Sequence, residues 1–526
     1  MNKIATSMLA VAFLLILSSL IMAQSVGDYR TRNSGDWSNA QIWERYNGSS
    51  WVPVGTPPTG SETITVRSTE QRTDSVFANI LVTITDTLIN QGIVDAVDSL
   101  TITFGNGGVY QHDRDAGSVP KCIWDVGSTI YMTGVTSTAP DDRAQNYYNM
   151  VFNTPGLLAN LNMNLDDNTI GGDIRVINTN FARWYLTSVD ISDTAIVTIM
   201  GDVFVEDGTF SVQGTSNALT TFMVNHFGNI NVTGGNFSIS RGSQGGGTTT
   251  WYIHEGNFTM SNASSNNSTA LPGGARFVFS KPNGTQSLSL SNITYNSNAI
   301  PFEVSSTTIL DLGSSSIEGS GIFILKEDAT LATAHAGGVA GSIQSGGAIT
   351  LSDSANYTFN GTAAQVTSAL MPDTVNNLTI DNAAGVALSQ ETVINGVLRL
   401  VAGVFDNTIP FTLGPNGSIS FEGGSLLITS IESNELNIPK TFFIDQNYPN
   451  PFNPATTIRF GLPSASQVTA KVFNMLGQEV ANLFEGRLNA GEHELLFDAE
   501  HLTSGIYFYQ IRAGSFMGVK RMVLLR

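Results

Sequence analysis

The sequence predicts an all-β protein, with a parallel β-helix or β-solenoid body followed by a small antiparallel β-sandwich of immunoglobulin-like type. Only 13% of the residues are charged, while glycine is abundant. Glycine, serine, threonine and asparagine suit short strands and tight turns, because glycine and asparagine tolerate positive φ angles and threonine fits a pleated surface. A short glycine-led strand motif recurs through the body, and a proline-rich segment near residue 450 precedes strands of a different kind.

The recurring motif is a glycine followed by apolar residues two and four positions later. Two apolar residues two positions apart lie on one face of a strand, and the glycine permits a sharp corner before them. Each strand is too short to form a sheet by itself, so the repeats must stack to bury their apolar faces. The motif begins at Gly201, Gly208, Gly228, Gly235, Gly256, Gly396 and Gly417.

These motifs fall into pairs of apolar residues seven positions apart, and the pairs recur from residue 203 to 230 and again to 251. Recurrence every 20 to 30 residues or so, with two strands each time, indicates one coil of a solenoid. A string of β-sandwiches would have more evenly spaced strands, and a propeller would repeat about every 40 residues, so both are less favoured. The pairs are Val203/Phe210, Ile230/Phe237, Trp251/Phe258 and Leu398/Phe405.

The chain is expected to contain five segments. Lys3 and the apolar run 8–22 are typical of an export signal, with cleavage after Ala23, and the run is too short to favour a permanent membrane anchor. The predicted segments are a signal peptide at 1–23, an N-terminal cap at 24–64, a solenoid at 65–430, a linker at 431–446 and a C-terminal domain at 447–526.

The predicted cap is rich in aromatic residues, which include Trp37, Trp43 and Trp51. A solenoid needs a cover at its end because exposed strand edges invite association. We therefore interpret these tryptophans mainly as packing within the cap. The alternative is a platform on which sugar rings stack.

The charge and the scarcity of metal ligands exclude several classes of function. A net charge of −19 argues against nucleic acid and anionic lipid as partners, since both need a basic surface. Cys122 is the single cysteine, so it can form no intramolecular disulfide, and the six histidines lack metal-ligand spacing. We predict no cofactor and no metal site.

One cluster could support hydrolysis of a glycosidic bond, which needs two carboxylates held across it. Asp113 and Asp115 would share one face if their segment were a strand, and His112 and Arg114 lie beside them. A polar loop on the outside of the solenoid is the favoured interpretation. No other catalytic constellation is found, so the body is expected to be non-enzymatic.

The C-terminal region resembles the type A sorting domain of type IX secretion, known from Bacteroidetes and neighbouring phyla. The resemblance lies in the opening 447–454, the turn 476–478, the segment 502–507 and the basic, aliphatic terminus 520–526. It implies recognition by the type IX outer-membrane translocon and sorting machinery, and export through the periplasm to the cell surface or the medium. It leaves open removal of the domain and attachment of the rest to surface lipopolysaccharide. Candidate sorting-signal residues are Asn447, Pro449, Pro451, Phe452, Gly477, Gly505, Tyr507, Lys520 and Arg521.

The body is similar, at segments 107–128 and 376–396, to uncharacterised solenoid-bearing surface proteins of the same bacteria. The favoured hypothesis is a role in adhesion, matrix or envelope structure, with an extracellular glycan or protein as ligand. The alternative is a protein that binds or cleaves polysaccharide in the lateral groove of the solenoid. Two acids and an aromatic residue meeting in one exterior groove would favour the alternative.

Overall fold

The protein has two compact units that meet in the sequence at residue 427. The computed structural model describes residues 24–69, 72–96, 101–187, 194–213, 221–240, 248–265, 275–295, 300–427, 439 and 441–526. The predicted signal peptide lies outside the described residues, as do 428–438 and 440, which make up most of the predicted linker.

The first unit is a β-solenoid with three faces of parallel strands, which confirms the predicted fold class. In most coils a strand of face 1 is followed by one of face 2 and one of face 3, and each pairs in parallel with its counterpart one coil later. Face 1 consists of Tyr29–Thr31, Ile64–Val66, Thr87–Asn90, Val109–His112, Thr129–Met132, Asn149–Asn153, Ile174–Asn178, Val203–Val205, Ile230–Val232, Phe258–Ser261, Thr285–Ser291, Ile309–Asp311, Thr330–Thr333, Asn356–Phe359, Leu378–Asp381, Val397–Ala402 and Ser418–Phe421.

Faces 2 and 3 are each made of several shorter parallel sheets. Face 2 contains Gly35–Asp36, Ser75–Ala78, Ile93–Ala96, Leu161–Asn162, Arg183–Thr187, Thr209–Gln213, Asn236–Ser240, Ser264–Ser265, Thr294–Tyr295, Gln365–Val366, Val386–Ala387, Val404–Asp406 and Ser425–Leu426. Face 3 contains Val82–Ile84, Ile102–Phe104, Ile123–Trp124, Asn168–Ile170, Thr194–Ile199, Thr221–His226, Thr249–Ile253, Ala275–Phe279, Phe302–Val304, Phe323–Leu325, Ile349–Leu351, Thr374–Val375, Thr392–Ile394 and Phe411–Leu413.

The coils vary in length because their corners absorb extra residues without disturbing the ladders. Tyr110 pairs with Ile130, twenty residues on, whereas Phe258 pairs with Leu288, thirty residues on. A hairpin of Ser68–Thr69 and Arg72–Thr73 and a short helix, Gly338–Ser342, fill two of the corners.

The predicted repeat was wrong at its second step. Val203 does pair with Ile230, but Ile230 then pairs with Phe258 and not with Trp251. Trp251 lies on face 3, where it pairs with Val224. Its spacing of seven from Phe258 imitates the earlier motif, but this pair runs from face 3 to face 1, whereas Val203 and Phe210 run from face 1 to face 2.

The core is a continuous apolar column in which aromatic rings from successive coils pack together. Phe210 stacks on Phe237 with ring centroids 6.1 Å apart, and Trp251 and Phe277 follow at 5.4 Å. Alternation explains this packing, since every second residue of each strand points inward.

A ladder of carboxamide and carboxylate groups runs along one corner of face 1. In five successive coils a side-chain Oδ1 accepts a hydrogen bond from the backbone N–H of the equivalent residue one coil later, over 2.6–2.9 Å. Such bonds satisfy backbone donors that the corner would otherwise leave without a protein partner. The acceptors are Asn149, Asp173, Asp202, Asn229 and Asn257.

The strand Thr285–Ser291 joins two offset ladders of face 1, in addition to the single-residue register shifts at Phe152/Asn153 and Ile380/Asp381. Its second half, from Leu288, pairs back with Phe258–Ser261, while its first half, from Thr285, pairs forward with Ile309–Asp311. The strand therefore belongs to two ladders that are offset along the chain.

The N-terminal end of face 1 is covered by antiparallel strands. Trp43–Tyr46, which follows a 3-10 turn at Ala40–Ile42, pairs antiparallel with Tyr29–Thr31, and Trp51–Pro53 pairs antiparallel with Trp43–Tyr46. Tyr29–Thr31 itself pairs in parallel with Ile64–Val66. The first rung of face 1 thus lies within the segment predicted as the cap.

The second unit is a small antiparallel two-sheet domain, as the predicted fold class requires. One sheet orders Phe443–Ile444, Ala455–Leu462 and Gly491–Asp498, and the other orders Glu479–Leu488, Ser466–Asn474, Gly505–Ala513 and Phe516–Leu524. The sequence interpretation missed the strand Glu479–Leu488, whose exposed and half-buried residues alternate poorly.

Candidate functional site

An open groove lies on the outer surface of face 1, next to the cap. It has a volume of about 430 Å³ and is lined by residues of the first four rungs together with Trp51. We call it the cap groove. Two columns of outward-facing side chains form its floor. The central column is Arg30, Thr65, Ile89 and Gln111, and the flanking column, two residues further along each strand, is Arg67, Gln91 and Asp113.

The columns follow directly from the ladder register. Arg30 pairs with Thr65, Thr65 with Ile89, and Ile89 with Gln111, while the residues on either side of them point into the core. Because rungs repeat about every 4.8 Å, the columns place one side chain per rung at a regular spacing.

Charged and aromatic groups close the cap end of the groove. The Arg30 guanidinium lies over the Trp51 ring, 4.2 Å from its centroid. Glu44 accepts a hydrogen bond from Arg30 Nε at 2.6 Å and lies 3.4 Å from Arg67 Nη2. One carboxylate therefore faces two guanidinium groups.

The other end of the groove is a network of neutral amides and hydroxyls around Asp113. Gln91 Nε2 donates to Asp113 Oδ2 at 2.8 Å, and Thr133 Oγ1 donates to Asp113 Oδ1 at 3.0 Å. Gln111 Nε2 lies 3.2 Å from Thr133 Oγ1, which accepts its hydrogen bond. The carboxylate of Asp113 is thus held by side chains of two neighbouring coils.

The cluster singled out in the sequence, His112 to Asp115, does not form a pair of free acids. The strand ends at His112, whose ring is buried between the hydroxyl of Tyr110 and the carbonyl oxygen of Ala116. Burial lowers the pKa of His112 to about 4. Asp113 and Asp115 therefore leave the strand and do not share a face.

Asp115 organises the corresponding loop of the next coil. Its Oδ1 accepts hydrogen bonds from the backbone N–H groups of Thr136, Ser137 and Thr138 at 2.8–2.9 Å. Desolvation raises the pKa of Asp115, but these donors outweigh it and hold the pKa well below its usual range. A carboxylate bound in this way supports the loop.

The three tryptophans of the cap have two different environments. Trp37 and Trp43 are fully buried and pack edge to face with centroids 5.3 Å apart, as expected for packing within the cap. Trp51 is only partly buried and lines the cap groove. No pattern in the sequence separates Trp51 from the other two.

Among the described residues, no group of three or more His, Cys, Asp or Glu side chains is arranged to hold a metal ion. No helix in the described part of the chain is long and apolar enough to cross a membrane. Cys122 is a free, half-buried thiol whose pKa is raised by burial.

Several predicted sorting-signal residues lie inside the C-terminal unit, where they stabilise its fold. Asn447, Phe452 and Tyr507 are buried. The backbone N–H of Asn447 donates to the Tyr509 hydroxyl at 2.9 Å, and its side chain donates to Thr456 Oγ1 at 2.9 Å. These residues position the chain and present little surface.

The proline-rich opening is hydrogen-bonded to the last strand, Phe516–Leu524, and the residue after it. Phe452 N–H donates to the Val523 carbonyl, and Leu525 N–H donates to the Phe452 carbonyl, each at 3.0 Å. Asn450 Oδ1 accepts from Val523 N–H at 2.9 Å. The two ends of the domain, which carry separate motifs in the sequence, therefore form one structure.

The remaining predicted residues are more accessible. Gly505 is half-buried at the start of its strand, and Gly477 has a φ of +76° in an exposed turn. Two neighbours within the same motifs are largely exposed, Tyr448 at 82% and Leu476 at 83%. Their role in sorting and that of the nine predicted residues stay predictions. The exposed members of the predicted set are Pro449, Pro451, Gly477, Lys520 and Arg521.

Comparison with known proteins identifies the C-terminal unit. Residues 446–525 match the family model of the secretion system C-terminal sorting domain. The predicted resemblance is confirmed: the chain is a cargo protein of type IX secretion, and it carries a β-solenoid region. No curated protein and no solved structure matches the chain. The sorting domain implies interaction with the type IX machinery and export to the outer surface or the extracellular space.

Proposed function

We propose that the exported solenoid is a non-enzymatic adhesion protein that binds a segment of a polysaccharide chain in the cap groove of face 1. The observation that carries this proposal is the meeting of an aromatic residue, Trp51, with Asp28, Asp113 and the polar central column in one exterior groove. Binding sites of this kind combine a few oriented polar groups with an aromatic or apolar wall.

The floor of the groove repeats at a regular spacing. The ladder register continues beyond Gln111 through Tyr131 and Val151 to Arg175, but Tyr131 and Val151 are buried, so the accessible column is interrupted after Gln111. A linear polymer bound in the groove meets similar spacing at each of its four rungs, because the ladder repeats regularly.

The spacing of the acids favours binding over cleavage. Asp28 precedes the first rung and Asp113 follows the fourth, so three rung steps separate them, or at least about 14 Å. Glycosidases hold their two carboxyl groups about 5 to 9.5 Å apart. The Asp113 carboxylate also accepts hydrogen bonds from Gln91 and Thr133 already.

A groove-blocking substitution tests the proposal. The full-length exported chain would be applied to a glycan array, and Thr65→Trp would be compared with Thr259→Trp. Both threonines are outward-facing on face 1, but Thr65 lines the groove and Thr259 lies on an exposed rung beyond Phe204. We expect Thr65→Trp to abolish binding and Thr259→Trp to retain it.

Two results would count against this function. An array with no bound glycan would reject polysaccharide binding and leave a structural role in matrix or envelope. If both variants lose glycan binding equally, and circular dichroism shows that each is folded, binding lies outside the cap groove.

A further inference from the structure

Three arginine side chains, Arg30, Arg67 and Arg72, lie at the cap end of the groove. Their ion pairs involve two carboxylates, Glu44 and Asp74. Asp74 is fully buried and is committed to Arg72 Nε at 2.6 Å and to the Thr31 hydroxyl at 2.6 Å. In the described part of the chain, Glu44 is the carboxylate that pairs with both Arg30 and Arg67. The groove therefore holds an excess of positive charge at this point.

The ionisation of Arg67 reflects the same imbalance. Burial and then the charge of Arg30 lower the pKa of Arg67, while the charge of Glu44 raises it only in part. A second negative group beside Arg67 would relieve this repulsion, because opposite charges favour the ionised form.

Two buried donors at this end have no hydrogen-bond partner among the described residues. They are the indole N–H of Trp51 and the Nε–H of Arg67. Leaving a buried donor unsatisfied costs roughly tenfold or more in an equilibrium constant. Both residues line the cap groove, but both atoms are buried beneath its surface, so a bound acceptor reaches them only if the Trp51 and Arg67 side chains shift.

We infer that the cap end of the groove binds an oxyanion carried by the polysaccharide, either the carboxylate of a uronic acid or a sulfate ester. This inference rests on the proposed function and names its ligand class. The oxyanion would accept hydrogen bonds from Arg67 and Trp51 and face Arg30. Guanidinium groups suit such ligands because their planar donors match two oxygens at once.

The rest of the charge distribution restricts how the oxyanion is recognised. The chain has a net charge of −19, so polyanions are repelled at long range. Asp28, on the opposite side of the central column, accepts a hydrogen bond from the backbone of Ser25 at 2.6 Å. Recognition must therefore be local, with one acidic group of the ligand held at Arg67. The cap groove does not offer a broad basic surface that would bind polyanions in general.

The test uses ligands that differ in the acidic group. The full-length exported chain would be titrated with polygalacturonate, with its fully methyl-esterified form and with a sulfated galactan. We expect one of the two acidic polymers to bind at least about tenfold more tightly than the ester, since hydrogen bonds to charged groups are the stronger ones. Tighter binding of polygalacturonate would identify the oxyanion as a carboxylate, and tighter binding of the sulfated galactan would identify it as a sulfate.

Variants connect the preference to the groove. Arg67→Gln should remove the tenfold preference, and Trp51→Phe, which keeps the ring but not the N–H, should reduce it. The matched control is Arg399→Gln, since Arg399 is an outward-facing arginine of face 1 in an exposed pair with Glu422. It should leave the preference unchanged.

Failure of this inference can be told apart from failure of the proposed function. Equal binding of the acid and the ester, or a preference that survives Arg67→Gln, overturns the inference even if Thr65→Trp still abolishes binding. If none of the three polymers binds, the inference is overturned, and a glycan array without hits overturns the proposed function as well.

Discussion

The solenoid and the sorting domain are both built of β-strands, but they use outward-facing residues differently. In the solenoid, short parallel rungs bury one set of side chains and leave the other free, so that Thr65 and Gln111 contribute to a surface without contributing to the core. In the sorting domain, motif residues such as Asn447 and Phe452 are buried supports. The buried residues of the sorting motif therefore hold the domain together. The outward-facing residues of the solenoid belong to no comparable sequence motif.

The largest single-residue effect is expected in the sorting domain. Phe452→Ala should destabilise that domain by about 3–5 kcal/mol, because a buried ring is lost and a cavity remains. Thermal unfolding of the full chain should show an early transition, and delivery to the surface should fall toward the level of a chain that lacks residues 447–526. Phe516→Ala is the control, since Phe516 is 47% exposed. Unchanged unfolding in Phe452→Ala would contradict the supporting role.

A smaller effect is expected from acid on the solenoid. Burial lowers the pKa of His226, as it does that of His112, to about 4, and the Nε2–H of His226 donates to the Gly201 carbonyl at 2.8 Å. The unfolded chain binds these protons near pH 6.5, whereas the folded chain does not. Stability should therefore fall as pH drops from about 6.5 to 4, by up to about 3 kcal/mol for each histidine.

Denaturant unfolding at a series of pH values checks the acid effect. His226→Gln, which keeps a donor for Gly201, should flatten the pH dependence of the free energy of unfolding. A variant as acid-sensitive as the parent would show that His226 is not the group responsible.

The smallest effect is expected in the corner ladder. Asn229→Ala removes the acceptor for the backbone of Asn257, over 2.9 Å, and should cost about 1 kcal/mol. Asp173→Asn keeps an acceptor for Asp202 and should change stability by no more than about 0.5 kcal/mol. It should be neutral or slightly stabilising, because partial desolvation by the packed coils and the nearby charge of Asp202 raise the pKa of Asp173. If thermal unfolding shows that both variants lose the same stability, the hydrogen bonds of the ladder are not the cause of the loss.

The repeat and the fold class were predictable because inward-facing residues recur with period two and each coil needs a corner. Register was harder, since Trp251 and Phe258 repeat the spacing of seven by coincidence, at the corner between faces 3 and 1 instead of the corner between faces 1 and 2. The cap groove was not predictable. Arg30 and Gln111 are far apart in sequence, and only the ladder register, which depends on the length of every corner, places them in one column.

The strand Thr285–Ser291 has a consequence for how this protein can change in length. Since it ends one ladder and starts another at a different offset, the outward columns of the N-terminal stack do not run on into the C-terminal one. Gain or loss of whole coils on one side of this strand leaves the alignment on the other side intact. The number of coils on the cap side of this strand and the number on its C-terminal side can therefore change independently.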